Sequence, residues 1–391
     1  MSRRYLGLQK ISKNVKNLHF YKNLREFSSK EIIVDHHAGV AVITLNREKK
    51  LNTLTLSMCQ EMKSKLTDLF KDAKLNCIII KGSGNKAFCA GGDVKCIAME
   101  KGPFVPGKPG TLRSDFFREE YELNYMLANA KAMRNSTNKP EKVYQVSIWN
   151  GVVMGGGAGI SMHGAFRIAT ENSLFAMPET AIGIFPDVGA SYVLSRLPSG
   201  IGHYLGMVGT RIKASDLIFS GLATHFIPSK NLMALEKALI EDKGEDVAGT
   251  LSKYCCAVPF EKGELEENRQ AIERCFNHKK SVECIITALE NENSEWSSKT
   301  LKIMANHSPT SLKLTHKQLI LGRDLPLRGC FEMEFRMMQR AMMAHDFTEG
   351  IRSVLIDKDR SPKWDPPKLS QVKEIDHYFD PLSPYELQLF A

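Results

Sequence analysis

Two carboxylates, Glu179 and Asp187, stand eight residues apart in the stretch MPETAIGIFPDVG, each preceded by a proline and set among Met177, Ile182, Ile184 and Phe185. Apolar neighbours withdraw water from a carboxylate and favour its neutral form, which is how a protein tunes an acid for proton transfer near neutral pH. Once it has given up its proton, such an acid can act as a general base or as a nucleophile toward a carbonyl carbon. A turn acid beside Pro178 or Pro186 would carry the same spelling, so the chemistry depends on what accompanies the pair.

Two glycine-rich turns precede them. AFCAGGD (87–93) follows the apolar run CIIIKG, and VVMGGGAG (152–159) follows VYQVSIWNG and opens a helical pattern. Glycine lets a backbone N–H approach a ligand closely, and the start of a helix adds partial positive charge. Neither turn is a phosphate cradle: there is no GxxxxGK[ST], and MGGGAG does not sit at the first strand of a βαβ unit, where a dinucleotide fingerprint belongs. Cys89 lies in the first turn without a histidine nearby in sequence, which argues against a nucleophilic thiol. His163 and His203 have no second ligand at metal spacing and read as structural.

The elements that must position these groups change character near residue 230. EIIVDH and GVAVITL are β-branched runs around a turn-forming HAG, a strand hairpin. LTLSMCQEMKSKLTDLFKDA carries Leu56, Met62, Leu66, Leu69 and Phe70 at a helical period, and LNCIIIKGSG reads as a short buried strand. A Gly/Pro-rich stretch, KGPFVPGKPGT, reads as a mobile loop before a helix at about 114–133. Repeated strand, strand, helix units predict an α/β body. From 231 to 360 the pattern is mostly helical, with Phe331, Phe335, Met338 and Met342 on one face as a core stripe.

Composition sets the outer bounds. The 391 residues are 43% hydrophobic and 25% charged, enough apolar material for a large core. No apolar run approaches the roughly 18 residues of a membrane span, so membrane insertion is not expected. The net charge of +9 is unevenly placed: residues 1–30 hold eight Lys or Arg against Glu26 alone. With Tyr5, Leu8, Ile11, Val15 and Leu18 at helical spacing, residues 1–27 read as a mitochondrial transit peptide; the alternative is a basic arm. Nine scattered cysteines with no Cys-x-x-Cys pair fit a reducing compartment and suggest neither a disulfide framework nor a zinc site.

The stretches LNREKKLNTLTLSM, GSGNKAFCAGGDVK, NGVVMGGGAGISMHGAFRIAT and FAMPETAIGIFPDVGASYVLSRL, in this order and spacing, resemble the crotonase (enoyl-CoA hydratase/isomerase) superfamily. With DFTEGIRSVLIDKDRSPKWDPP at 346–367, the chain is most similar to the 3-hydroxyisobutyryl-CoA hydrolase branch, over roughly residues 31–370. That resemblance implies an α/β fold with a crotonase-like ββα superhelix (spiral) over 31–230 and a mostly α-helical C-terminal region over 231–391.

It also implies roles. The backbone N–H groups of Gly92 and Gly156 would form the oxyanion hole for a CoA thioester, and Glu179 and Asp187 would be catalytic. Glu179 would be nucleophile or general base, and Asp187 would orient the water or the substrate's 3-hydroxyl. Glu120 in FFREEY matches a substrate-binding position alongside Gly156, Glu179 and Asp187; its other reading is a solvated helix carboxylate. Hydratases of the superfamily carry a second glutamate three residues after the middle glycine, where this chain has Gly159. Hydration is therefore disfavoured.

Arg47, Lys49, Lys50 and Lys95 lie in motifs that line the CoA channel of the family, though none is assigned to a phosphate. A segment longer than is usual for the branch, KAMRNSTNKPEKVYQVSIWNG, and a loop-rich one, GKPGTLRSD, predict a reshaped mouth to the site. The implied partner is an acyl-CoA substrate, with no cofactor beyond the CoA it carries, no metal and no DNA. The implied setting is valine catabolism in the mitochondrial matrix. The alternatives are a mitochondrial small ribosomal subunit component of the same family, or an enoyl-CoA hydratase/isomerase.

Overall fold

A computed structural model describes residues 31–130, 143–259, 261–277 and 281–389. The basic leader at 1–27 and most of the longer segment before the second glycine turn lie outside the described residues.

The predicted hairpin forms as β1 (Ile32–His37) and β2 (Val40–Leu45), paired antiparallel through Gly39 at φ 78°. From β2 onward the chain winds in repeated turns, each laying one strand into a large sheet and the next into a small one. β3 (Cys77–Gly82), β5 (Tyr144–Trp149), β7 (Phe166–Ala169) and β9 (His225–Phe226) extend the large sheet in parallel, in the order β1-β2-β3-β5-β7-β9. β4 (Ala87–Cys89), β6 (Val152–Met154) and β8 (Leu174–Ala176) form the parallel three-stranded sheet. This is the expected α/β spiral.

Both faces of the large sheet are covered, which explains why CIIIKG is apolar without alternation. Val40, Val42, Cys77, Ile79, Val146 and Ile148 pack against Leu235, Leu239, Val247 and Leu251. Ala41, Ile43, Ile78 and Ile80 face the other way, into the main core with Met58, Met62 and Leu66 of α1 (Leu56–Leu69). Thr55 caps α1 by accepting from the Met58 N–H at 3.2 Å.

A short helix α2 (Val94–Met99) follows the first glycine turn, and α3 (Leu112–Ala128) follows the Gly/Pro-rich stretch. α3 is the helix expected at 114–133; it begins two residues earlier, at Leu112, and runs to Ala128. The stretch before it is tied down rather than left as a mobile loop. Gly107 donates its N–H to Gln339 Oε1 at 2.9 Å and accepts from the Arg118 guanidinium at 2.8 Å. Arg118 also donates to the carbonyls of Tyr385 and Glu386, so this loop and the C-terminal strap share one anchor on α3.

The second glycine turn opens a single helical turn, α4 (Gly156–Gly159), and the short α5 (Ala190–Leu194) follows the acidic stretch. Beyond Leu232 the chain is helical through Ile356, apart from short connections. Two of these helices, α6 (Pro309–Asp324) and α7 (Leu327–Ala341), return to the acidic stretch. Phe331, Phe335, Met338 and Met342 are buried as the core stripe the spacing predicts.

Candidate active site

The spiral brings the two glycine turns and the acids to one place. Asn52, in the loop before α1, donates from Nδ2 to the carbonyls of Ser83 and Ala87 at 3.0 and 2.9 Å, fixing the approach to the first turn. Leu54 then bridges to that turn, its N–H donating to Gly91 O and its carbonyl accepting from the Asp93 N–H. The N–H of Gly92, between these two bonds, has no acceptor among the described residues, and the same holds for the N–H of Gly156. The turns touch: a Cβ added at Gly91 would lie 3.9 Å from the Gly156 nitrogen.

Glycine is required at these positions by what surrounds them. Gly155 has φ 44° and ψ −121°, closed to side-chain-bearing residues. A Cβ at Gly92 would meet the Phe116 ring at 2.7 Å, and one at Gly156 would run into Glu120 Oε1. Any larger residue would push aside the groups that face the amides.

Glu179 starts a turn of 3₁₀-helix (Glu179–Ile182) after Pro178, and its Oε1 reaches to 3.3 Å from the site of a Gly155 Cβ. Its Oε2 is buried with no hydrogen-bond partner. Asp187 accepts from the Tyr121 hydroxyl at 2.7 Å. Glu120, one residue before Tyr121 on α3, is 2% exposed, and its Oε1 also lacks a partner. The solvated reading of Glu120 is therefore corrected: its neighbour Glu119 takes the solvent-facing role, bonded to Lys63 at 2.7 Å. The packing of α3 on the spiral turns position 120 inward.

Three buried carboxyls close to one another disfavour their ionised forms. Burial pushes Glu179 well above its usual range, and the Asp187 charge adds to the rise. Glu120 is raised in the same way, by burial first and then by Asp187 and Glu179. Asp187 is pushed up only to about 6, because the Tyr121 hydroxyl donates to its ionised form. Of the three, Asp187 is the easiest to ionise.

The turn bearing Asp187 is held at every residue. Gln318 of α6 donates to Pro186 O at 2.7 Å, and His163 donates from Nε2 to Val188 O at 2.9 Å. That bond fixes the imidazole's tautomer, and burial lowers its pKa to about 4, so the ring stays neutral. The structural reading of His163 thus has a partner. Glu334 of α7, fully buried, accepts from the N–H groups of Gly189 and Ser191 at 2.6 and 2.8 Å and from Ser191 Oγ at 2.5 Å. Val188, a β-branched residue at φ 57°, is the strained member this clamp maintains.

Gly159 has no room for a side chain. An added Cβ would stand 2.5 Å from Asn124 Nδ2 and 2.6 Å from Val188 Cβ.

The remaining expected residues divide. Cys89 is fully buried and its thiol is pushed up to about 12, so it stays protonated. Arg47 is engaged in the fold, donating to Thr53 O at 2.7 Å and paired with Glu31 at 3.0 Å. Lys49, Lys50 and Lys95 are exposed beside the first glycine turn. A surface cleft of about 540 Å³ lined by Phe104, Arg113, Met343 and His345 contains none of the three acids. Tyr121, Asn124, Gln318 and Glu334 have no motif to mark them. The one available signal was the i, i+4 spacing of Glu120 and Asn124 on a helix.

Residues 40–379 match the family described as Enoyl-CoA hydratase/isomerase. Relatives named 3-hydroxyisobutyryl-CoA hydrolase, mitochondrial, include one from Gallus gallus, 42% identical over 371 residues, covering 93% of this chain and 92% of the relative. The Danio rerio relative of that name is 44% identical, covering 92% of each. Among solved structures, a carnitinyl-CoA dehydratase from Mycobacterium thermoresistibile superposes with a TM-score of 0.81 at 32% identity, covering 92% of this chain and 99% of that one. An enoyl-CoA hydratase from Rhodobacter sphaeroides superposes with a TM-score of 0.79 at 32% identity, covering 92% and 100%.

Proposed function

Because the chain belongs to the enoyl-CoA hydratase/isomerase family, we propose that it acts as its sequence relatives are named, hydrolysing 3-hydroxyisobutyryl-CoA to 3-hydroxyisobutyrate and free CoA. The observation that carries the choice of hydrolysis over hydration is Gly159. Asn124 and Val188 fill the space a side chain at that position would need, so the acid that a hydratase carries there has no counterpart.

In this mechanism the thioester oxygen lies between the free N–H groups of Gly92 and Gly156. They stabilise the negative charge that the oxygen gains as the carbonyl carbon becomes tetrahedral. Donors of this kind are worth about 2.7–4 kcal/mol each to the transition state. Glu179, in its ionised form, supplies the electron pair, either by taking a proton from an attacking water or by bonding to the carbon itself. Asp187, ionised at neutral pH and fixed by Tyr121, orients the attacking water. Collapse of the tetrahedral species breaks the C–S bond, and the CoA sulfur leaves as thiolate or takes the proton that Glu179 accepted from the water; where Glu179 has bonded to the carbon, the water that Asp187 orients then hydrolyses the anhydride, releasing the hydroxy acid and freeing the Glu179 carboxylate. Glu120 bounds the acyl pocket above Gly156. All these steps use the chain's own groups; CoA enters only as part of the substrate.

The relatives' names carry the word mitochondrial, which supports the mitochondrion as the setting and valine catabolism as the pathway, with the matrix as the compartment we propose. The test is free-thiol release from two esters by the purified protein. Rapid release from 3-hydroxyisobutyryl-CoA with no hydration of crotonyl-CoA is the expected result. Hydration of crotonyl-CoA without thiol release would overturn the reading.

A further inference from the structure

Asn124 is 0% exposed, and neither its Nδ2 nor its Oδ1 has a hydrogen-bond partner. A buried side-chain amide with every bond unmade is rare in folded proteins, because the groups that water would have satisfied are left bare. Nothing in the fold explains it: Asn124 caps no helix and bridges no chain segments. It lies on the wall of the acid site. On α3, Glu120 and Asn124 are one helical turn apart on the same face. On α4, Gly156 and Gly159 are likewise neighbours, and the two pairs meet in register, Glu120 against Gly156 and Asn124 against Gly159. The missing side chains at Gly156 and Gly159 are what bring α3 this close.

The register assigns Asn124 a distance from the chemistry. Gly156 marks the carbonyl oxygen, and Asn124 stands one turn beyond Glu120, roughly 5–6 Å along the helix face. That is too far to touch the reacting carbon and suits a group further along the acyl chain. The amide is also the right chemistry there: it both donates and accepts, as a hydroxyl does, whereas the surrounding carboxylates can only accept when ionised.

We infer that Asn124 is the residue that selects for a hydroxylated acyl group, its Oδ1 accepting from the substrate's 3-hydroxyl and its Nδ2 donating to the same oxygen or to a water beside it. This rests on the hydrolase reading above and sharpens it, since it frees Asp187 from the hydroxyl and leaves that acid to the attacking water. The open amide then has a reason. It is completed only when a hydroxylated ester is bound, and an ester without the hydroxyl leaves it bare, which is the strongest form of discrimination a polar pocket offers.

The test compares kcat/KM for 3-hydroxyisobutyryl-CoA and isobutyryl-CoA, the same carbon skeleton without the hydroxyl, in wild type, Asn124→Leu and Asn124→Ala. Wild type should prefer the hydroxylated ester by about 10³ or more, and both variants should shrink that preference by about 50-fold or more, almost wholly through loss on the hydroxylated ester. Thermal unfolding is the second readout: since the amide makes no bond in the free protein, Asn124→Leu should hold or raise the Tm. A preference within about threefold of wild type, or parallel loss on both esters, would overturn the assignment. So would failure of both variants to fold, which would make Asn124 structural. A wild type inert toward 3-hydroxyisobutyryl-CoA would instead remove the hydrolase reading, and this assignment with it.

Discussion

The turns at Pro178–Ile182 and Pro186–Gly189 each present an acid to the same pocket, and the fold treats them in opposite ways. Around Asp187 every residue is fastened by a different element: Gln318 from α6, Tyr121 from α3, His163 from the segment after α4, and Glu334 from α7. Around Glu179 the backbone is set by a 3₁₀ turn, while one carboxyl oxygen is left without a partner. A fastened, hydrogen-bonded acid stays ionised and fixes geometry. A desolvated, unpartnered acid sits at high energy when charged, which makes it reactive.

The largest effect should come from the unfastened acid. Glu179→Gln is expected to lower kcat for thiol release by about 10³, measured under saturating substrate; a loss under tenfold would break the comparison. The same variant should be more stable than wild type at neutral and alkaline pH. Because burial raises the Glu179 pKa, the native state holds that proton to higher pH than the unfolded chain does. Wild-type stability therefore falls as pH rises above the unfolded carboxyl's pKa, until the folded group has also ionised. Glutamine removes that loss, and urea titrations on both sides of neutrality would show it.

Next in size is the clamp. Glu334→Ala leaves the Gly189 and Ser191 N–H groups buried without an acceptor, and should cost about 3 kcal/mol of stability in a urea titration at a fixed pH. It should also slow thiol release, because Val188 is then free to leave its strained conformation. Full activity in a destabilised Glu334→Ala protein would show that the Asp187 turn does not need its fastening.

Smaller and more diagnostic is Tyr121→Phe. The lost hydroxyl had lowered the Asp187 pKa, so Asp187 should stay protonated to a higher pH and the acid limb of the kcat profile should move upward. An unmoved limb with reduced kcat would place Tyr121 in packing only. The smallest effect expected is that of Cys89→Ala, within about threefold in kcat, since a thiol held protonated up to about 12 has no thiolate to offer.

Much of this site is written locally. Glu179 and Asp187 stand out because prolines and apolar residues flank them, and the glycine turns because runs of glycine after a strand are uncommon spelling. The α/β class was legible for a similar reason, since β-branched runs and helical periods alternate over short distances; the spiral itself was implied only by the resemblance to a family. Glu120 lay at the edge of what could be read: in FFREEY nothing local distinguishes it from Glu119, yet one is buried and the other pairs with Lys63. Tyr121, Gln318 and Glu334 were not legible, because each acts on a partner 66 to 145 residues away.

The chain's spelling alone settled which residue types are available and where the backbone can turn, because proline, glycine and hydrophobic period act within a few residues. It also settled that position 159 carries no acid. Which carboxyl ionises, which keeps an open oxygen and which amide waits for a hydroxyl were decided only when α3, α6 and α7 closed on the spiral. Burial and the company of other charges are properties of assembled neighbours, and they govern a pKa or an unmet hydrogen bond far more than the identity of the residue next in line.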